Sequence, residues 1–165
     1  MRNGGTGWLE KLESARVQGA AAGAPALADR VRQFILEDGK HIPGALAALQ
    51  ARDLGAFGRL VSESHAASKK YLWNIVPEVD YLQRTACRLG AAGASGFGAG
   101  FGGSIFAVTP SDRAEELMLE WRRRYAARYP TRADESAFFI AGPGPGIEVW
   151  SESGPVSYAE QIFQT

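Results

Sequence analysis

Between Gly90 and Ser104 glycine occupies seven of fifteen positions, in the order Gly90-Ala-Ala-Gly93-Ala-Ser95-Gly96-Phe-Gly98-Ala-Gly100-Phe101-Gly102-Gly103-Ser104. Such density costs chain entropy and is tolerated where a backbone needs positive φ or close approach. Successive N–H groups in such a loop can form a concave nest for an anion, typically a phosphate. Ser95 and Ser104 add hydroxyls at its edges. Three phosphate loops share this look and fail on context. Gly98-x-Gly100-x-x-Gly103 meets the bare dinucleotide fingerprint, yet an apolar strand, Ile105 to Val108, follows where that fingerprint needs a helix. A Walker loop needs a Gly-Lys-Ser/Thr end, and Lys11, Lys40, Lys69 and Lys70 all lie elsewhere. A protein-kinase glycine loop needs a lysine on the next strand and a catalytic loop downstream, and neither is present. The plain alternative, a hairpin whose glycines only permit tight packing, stays open at this level.

Other reactive side chains offer less. His41 and His65 have no second ligand at a recognised metal spacing, so both read as structural, with Ser64 and His65 tying their helix to the core. Nothing forces Glu63 and Glu78 together as an acid/base pair. The single cysteine, Cys87, lies in an apolar helical stretch and reads as a small hydrophobe. Arg122, Arg123 and Arg124 spread over about 200° of a helix and form a solvated face rather than a patch.

The elements around the glycine run are mostly helical. Met1 to Ala26 is Gly/Ala-rich and expected to be loosely ordered around a short helix, Trp8 to Val17. From Leu27, Val31, Phe34 and Ile35 share a face; Pro43-Gly44 punctuates, and Leu46 and Leu49 continue a second helix. Asp53 can cap a third, with Leu54, Phe57, Leu60 and Val61 as its buried stripe. Pro77 opens a fourth, with Val79, Leu82, Ala86 and Leu89 inward and Gly90 as the stop. Thr109-Pro110-Ser111-Asp112 reads as a capping box before a helix with Ala114, Leu117, Trp121 and Tyr125 inside. Ala137 to Ile140 reads as another strand, and a Gly142-Pro-Gly-Pro-Gly146 connection leads into Ile147 to Trp150. The order argues for an α+β fold with an antiparallel sheet covered by helices, divided as 1–26 poorly ordered, 27–150 globular and 151–165 a tail.

Composition bounds the partners. In 165 residues the 18 basic and 18 acidic side chains cancel, so charge asks for neither nucleic acid nor an anionic membrane. With no apolar run of about 18 residues and no signal-peptide pattern after Arg2, the expected location is the cytoplasm.

The run Ser95-Gly-Phe-Gly-Ala-Gly-Phe-Gly-Gly-Ser104 closely resembles the third signature motif of the GHMP kinases. Its context agrees. Asp53-Leu-Gly-Ala-Phe57-Gly through Ser64-His65 resembles the galactokinase segment in which an Asp-capped helix runs from Phe-Gly to Ser-His. Asn74-Ile-Val-Pro77-Glu78 resembles the Val-x-x-Pro-Glu lead into the next helix; Arg30-Val31, Phe138-Phe139 and the closing Gly-Pro-Gly also fit, over roughly Leu27 to Trp150. The resemblance implies a GHMP kinase C-terminal domain with a ferredoxin-like antiparallel sheet. Typical galactokinases carry Gly-Ser-Arg-Met-Thr before a Gly-Gly-Gly-Phe-Gly-Gly-Cys core. Here Gly93-Ala-Ser95-Gly-Phe97 stands there and Ser104 ends the run, which leaves the sugar or other alcohol substrate open.

By the same resemblance, the complete enzyme would use ATP and Mg²⁺ to phosphorylate a sugar hydroxyl, giving galactose 1-phosphate from galactose. Ser95, Gly98, Gly100, Gly102, Gly103 and Ser104 would lie on the nucleotide side. The first motif, the phosphate loop of the second and the aspartate base belong to an N-terminal domain, and none is found between Met1 and Leu27. The chain is therefore assigned no catalytic residue, no metal ligand and no certain cofactor of its own. Three readings follow: a C-terminal half inactive until joined by an N-terminal kinase domain, a subunit of a split kinase, or a stand-alone ligand-binding module. The face such a domain would cover is expected as an exposed apolar patch or a homodimer interface.

Overall fold

The computed structural model describes residues 27–144, 148–151 and 154–157. The Trp8 to Val17 helix and the 1–26 segment lie outside the described residues, as does part of the Gly-Pro-Gly connection.

The first helical stretch is α1 (Leu27–Leu36), a π turn (Glu37–His41) and α2 (Ile42–Gln50). The expected break at Pro43-Gly44 does not occur. Ile42 donates its amide to Glu37 O, and the backbone stays right-handed helical through His41 and Ile42. The wider π turn ahead of Pro43 relieves the clash its ring would make with the carbonyl four residues back. Phe34 and Ile35, which share a face with Val31, are 65% and 40% exposed.

Asp53 caps α3 (Leu54–Ala67) as expected, its Oδ1 accepting from Ala56 N at 2.7 Å. A second π turn, Ser68–Leu72, ends at Trp73, which is left-handed with φ 54°. Pro77 opens α4 (Pro77–Arg88) and Gly90, at φ 93°, ends it, both as expected. Such a φ is routine for glycine after a helix.

Part of the glycine run is strand. β1 (Gly93–Phe97) pairs antiparallel with β2 (Ser104–Val108), in the register Gly93 to Val108 and Phe97 to Ser104. Alternation puts Ala94, Gly96, Ile105 and Ala107 on one face. There Ala94, Ile105 and Ala107 meet Leu82 and Ala86 of α4 and Leu117, Trp121 and Tyr125 of α5 (Ala114–Arg128). Trp121 also donates its indole N–H to Leu82 O at 2.9 Å. The fold is α+β, with helices on an antiparallel sheet.

α5 starts later than expected. Pro110 is extended (ψ 144°), a 3-10 turn fills Ser111–Arg113, and Thr109 Oγ1 is buried without a partner, so Thr109 caps nothing. A short helix α6 (Pro130–Ala133) follows. Ala137 to Ile140 forms no strand: nothing in the described residues pairs with it, and only Phe138 turns in, packing edge-on against Trp121 at 5.5 Å. β3 (Glu148–Ser151) pairs with β4 (Gly154–Ser157), a hairpin that straddles the boundary drawn after residue 150.

Candidate functional site: a glycine turn on an edge-capped hairpin

The turn joining β1 to β2 is held in conformations that favour glycine. Gly98, Gly100, Gly102 and Gly103 have φ of 82°, 83°, 115° and 90°, and Phe101, the one larger residue among them, has 61°. A Cβ added at Gly98, Gly102 or Gly103 would meet nothing within 4 Å. The backbone there borders open space, so the loop can bring its amides close to an incoming group. Gly100 is different, since a Cβ would strike the Asn74 side chain.

Beside the turn lies a cavity of about 160 Å³ lined by Gly98, Gly100, Gly102 and Ser104 together with Asn74, Ser68 and Gln33. Four of the six residues read from sequence as nucleotide-side are thus gathered here. Gly103 belongs to the turn but not to that lining. Ser95 is in the middle of β1, 8% exposed, its hydroxyl donating to Gly96 O at 3.0 Å. Ser68 and Gln33 were not singled out from sequence, and Asn74 only as part of the lead into α4, because their approach to the hairpin is tertiary.

α3 seals the open edge of β1. Ala94 N donates to Ser62 Oγ at 3.4 Å and Gly96 N donates to His65 Nδ1 at 3.2 Å, so the two amides not used toward β2 are met by side chains. An uncovered edge invites unwanted pairing, and a helix laid along it prevents that. The approach needs two glycines: a Cβ on Gly58 would run into Ala92, and one on Gly93 into the Gly58 backbone. His65 is 3% exposed, and its Nε2 has no partner. Burial pushes its pKa below the ordinary value, Lys69 adding to the shift and Asp80 opposing it. The bond from Gly96 needs a bare Nδ1, which fits the neutral ring.

His41 is structural as well. Its Nδ1 lies 3.1 Å from Glu37 Oε1, which also accepts from Ser64 Oγ at 2.7 Å; Ser64 therefore ties α3 to the first π turn. Lys40 pairs with Glu63 at 2.6 Å and, with its hydrogen bond leading, lowers that carboxyl's pKa. Of the three arginines, Arg123 and Arg124 share Glu120, holding it down to about 2, on an exposed face. Cys87 is half-buried between Gln83 Nε2 at 3.5 Å and Ser62 Oγ at 3.9 Å. Among the described residues no cluster of three His, Cys, Asp or Glu could hold a metal, and no helix is long and apolar enough to cross a membrane.

The model of GHMP kinases C terminal matches residues 45–127, from α2 through most of α5 and including the whole hairpin. This chain belongs to that family. Outside the family model, a galactokinase of Mycobacterium tuberculosis (strain ATCC 25618 / H37Rv) is 30% identical over 142 residues, covering 84% of this chain and 38% of that protein. A galactokinase of Roseiflexus sp. (strain RS-1) is 35% identical over 97 residues, covering 58% of this chain and 25% of that protein. Among solved structures, Lactococcus lactis galactokinase complexed with galactose aligns with a TM-score of 0.59 at 27% identity, over 74% of this chain and 31% of the other. The GHMP domain described here thus spans well under half the length of the galactokinases it resembles.

Proposed function

We propose that this GHMP domain is the C-terminal half of a galactokinase-like sugar kinase, transferring a phosphoryl group from ATP to a sugar hydroxyl once an N-terminal half is joined to it. The observation that carries the reading is the β1–β2 hairpin: three positive-φ glycines, Gly98, Gly102 and Gly103, border open space on a strand pair whose edge is sealed by α3. Bare backbone at those positions fits a phosphate, which would fill the space a Cβ otherwise takes. ATP, with Mg²⁺, would supply the transferable group and offset its charge. Phosphoryl transfer depends mainly on positioning and charge stabilisation, and this chain's part is positioning. Gly98, Gly100, Gly102, Gly103 and Ser104 would close one wall of the phosphate cleft, with Ser95 setting the strand beneath it.

The metal and the base would come from the N-terminal half, as the family resemblance implies. An exposed apolar surface supports a covering partner. Phe34, Ile42, Leu46 and Leu49 are 65%, 62%, 57% and 56% exposed on the α1–α2 stretch. The π turn adds about one residue, turning the later part by about 100° and bringing these four onto one outer face.

The test is calorimetric titration of the purified chain with Mg·ATP, then a phosphoryl-transfer assay on galactose after adding a galactokinase-type N-terminal domain. No binding alone with turnover in the mixture is the expected result. Tight binding alone with no turnover in any mixture would replace this reading with a nucleotide-binding module.

A further inference from the structure

We infer that Asn74 is the positioning residue that sets the shape of the glycine turn, a role that rests on the phosphate-cleft reading of that turn. Three contacts converge on it from the apex of the turn. Phe101 donates its amide to Asn74 O at 2.6 Å, the Asn74 carboxamide donates from Nδ2 to Ala99 O at 3.2 Å, and Gly100 lies so close that a Cβ there would meet Asn74 Nδ2, Cβ and Cγ at 2.5–2.6 Å. Residues 99, 100 and 101 are therefore each engaged by one side chain or its own carbonyl. Gly98, Gly102 and Gly103, on either side, have open space where a side chain would be.

Asn74 is itself delivered by a strained approach. Trp73 takes φ 54°, a left-handed conformation uncommon for a large residue, and its indole N–H donates to Lys70 O at 3.1 Å across the end of the second π turn. A glycine-rich turn carries no side chains with which to hold its own shape, so its conformation has to be imposed from outside. Asn74 Oδ1 is buried with no partner, an arrangement that packing alone would not favour over an apolar side chain of the same size. That unpaired acceptor separates two roles. If Asn74 served only to pack the fold, leucine, of nearly the same shape, would do as well; if it positions the turn, leucine keeps the packing and loses the bond to Ala99.

Amide hydrogen exchange on the full chain, read by mass spectrometry, compares wild type with Asn74→Leu and Asn74→Asp. Exchange across 98–103 is expected to quicken about tenfold in both variants, the scale of one lost hydrogen bond. The helix Pro77–Arg88 should exchange as before, and Asn74→Leu should not lower the denaturant midpoint. In a mixture with a galactokinase-type N-terminal domain, KM for Mg·ATP is expected to rise about tenfold on the same scale. Unchanged exchange at 98–103 in both variants would overturn the inference. So would faster exchange with an unmoved KM in a mixture whose wild type turns over. If the wild-type mixture shows no turnover, the proposed function falls, and the exchange rates alone decide whether Asn74 holds the turn.

Discussion

The β1–β2 hairpin with α4 and α5 and the α1–α2 stretch are built on opposite terms. The first closes on itself: Leu82, Ala86, Ala94, Leu117, Trp121 and Tyr125 are all buried, and its spare edge amides are satisfied by α3. The second keeps its small and polar residues inside and its large ones outside. Ala28, His41 and Ala48 are buried, whereas Phe34, Ile42, Leu46 and Leu49 face solvent. Burial of apolar area drives folding, so a helix that exposes its largest apolar side chains gains little from the fold it is in. The contrast teaches where self-sufficiency ends: one region carries its own core, and the other leaves large apolar side chains uncovered by the described residues.

Three experiments press on that contrast. Trp121→Ala should bring the largest change, about 3–5 kcal/mol lost in urea denaturation, since it empties a buried site that touches Phe138 and gives up the bond to Leu82 O. A loss below about 1 kcal/mol would mean the core is not where the hairpin's stability resides.

The second concerns the sealed edge. His65 has a folded pKa below the ordinary 6.5, so the unfolded chain binds more protons as pH falls. Its contribution is complete above about pH 6.5 and is lost as pH drops toward the depressed folded value. Denaturant midpoints from pH 8 to pH 5 should fall for wild type and fall less for His65→Gln. Parallel slopes would remove His65 from the account.

Smallest in stability is Leu46→Ser, or Phe34→Ser, on the outer face. Each should change the unfolding free energy by no more than about 0.5 kcal/mol, as exposed substitutions usually do. Each should also weaken whatever association light scattering or complementation detects. A destabilisation of several kcal/mol would show instead that this face is covered within the chain.

Where local chemistry decides an element, the sequence was readable. Asp53 as a cap, Pro77 at the start of α4 and Gly90 at its end follow from single residues and their immediate neighbours. Leu117, Trp121 and Tyr125 follow from helical period. The glycine run was readable as an unusual backbone with a hairpin left open as the alternative, but not which of its residues are strand, because Gly93 to Phe97 has the composition of a loop and becomes a strand only by pairing with β2 and meeting α3. Continuation through Pro43 was hidden because it depends on a π turn that no residue announces. Which way the Val31, Phe34 and Ile35 face points was not legible, because a helical stripe reveals its period but not which side meets the core. Asn74 and the Gly58–Gly93 crossing were out of reach for the same reason: both are contacts between segments distant along the chain.

The half-buried Cys87, lying between Gln83 of its own helix and Ser62 of α3, has a use beyond packing. It is the single cysteine in the chain. A thiol-specific reagent therefore has one target, at the contact where α3 meets α4, and its reaction rate measures how often that contact breathes. Slower labelling when a partner or nucleotide is added would report tightening of the helix pair from an unmodified protein, with no engineered probe.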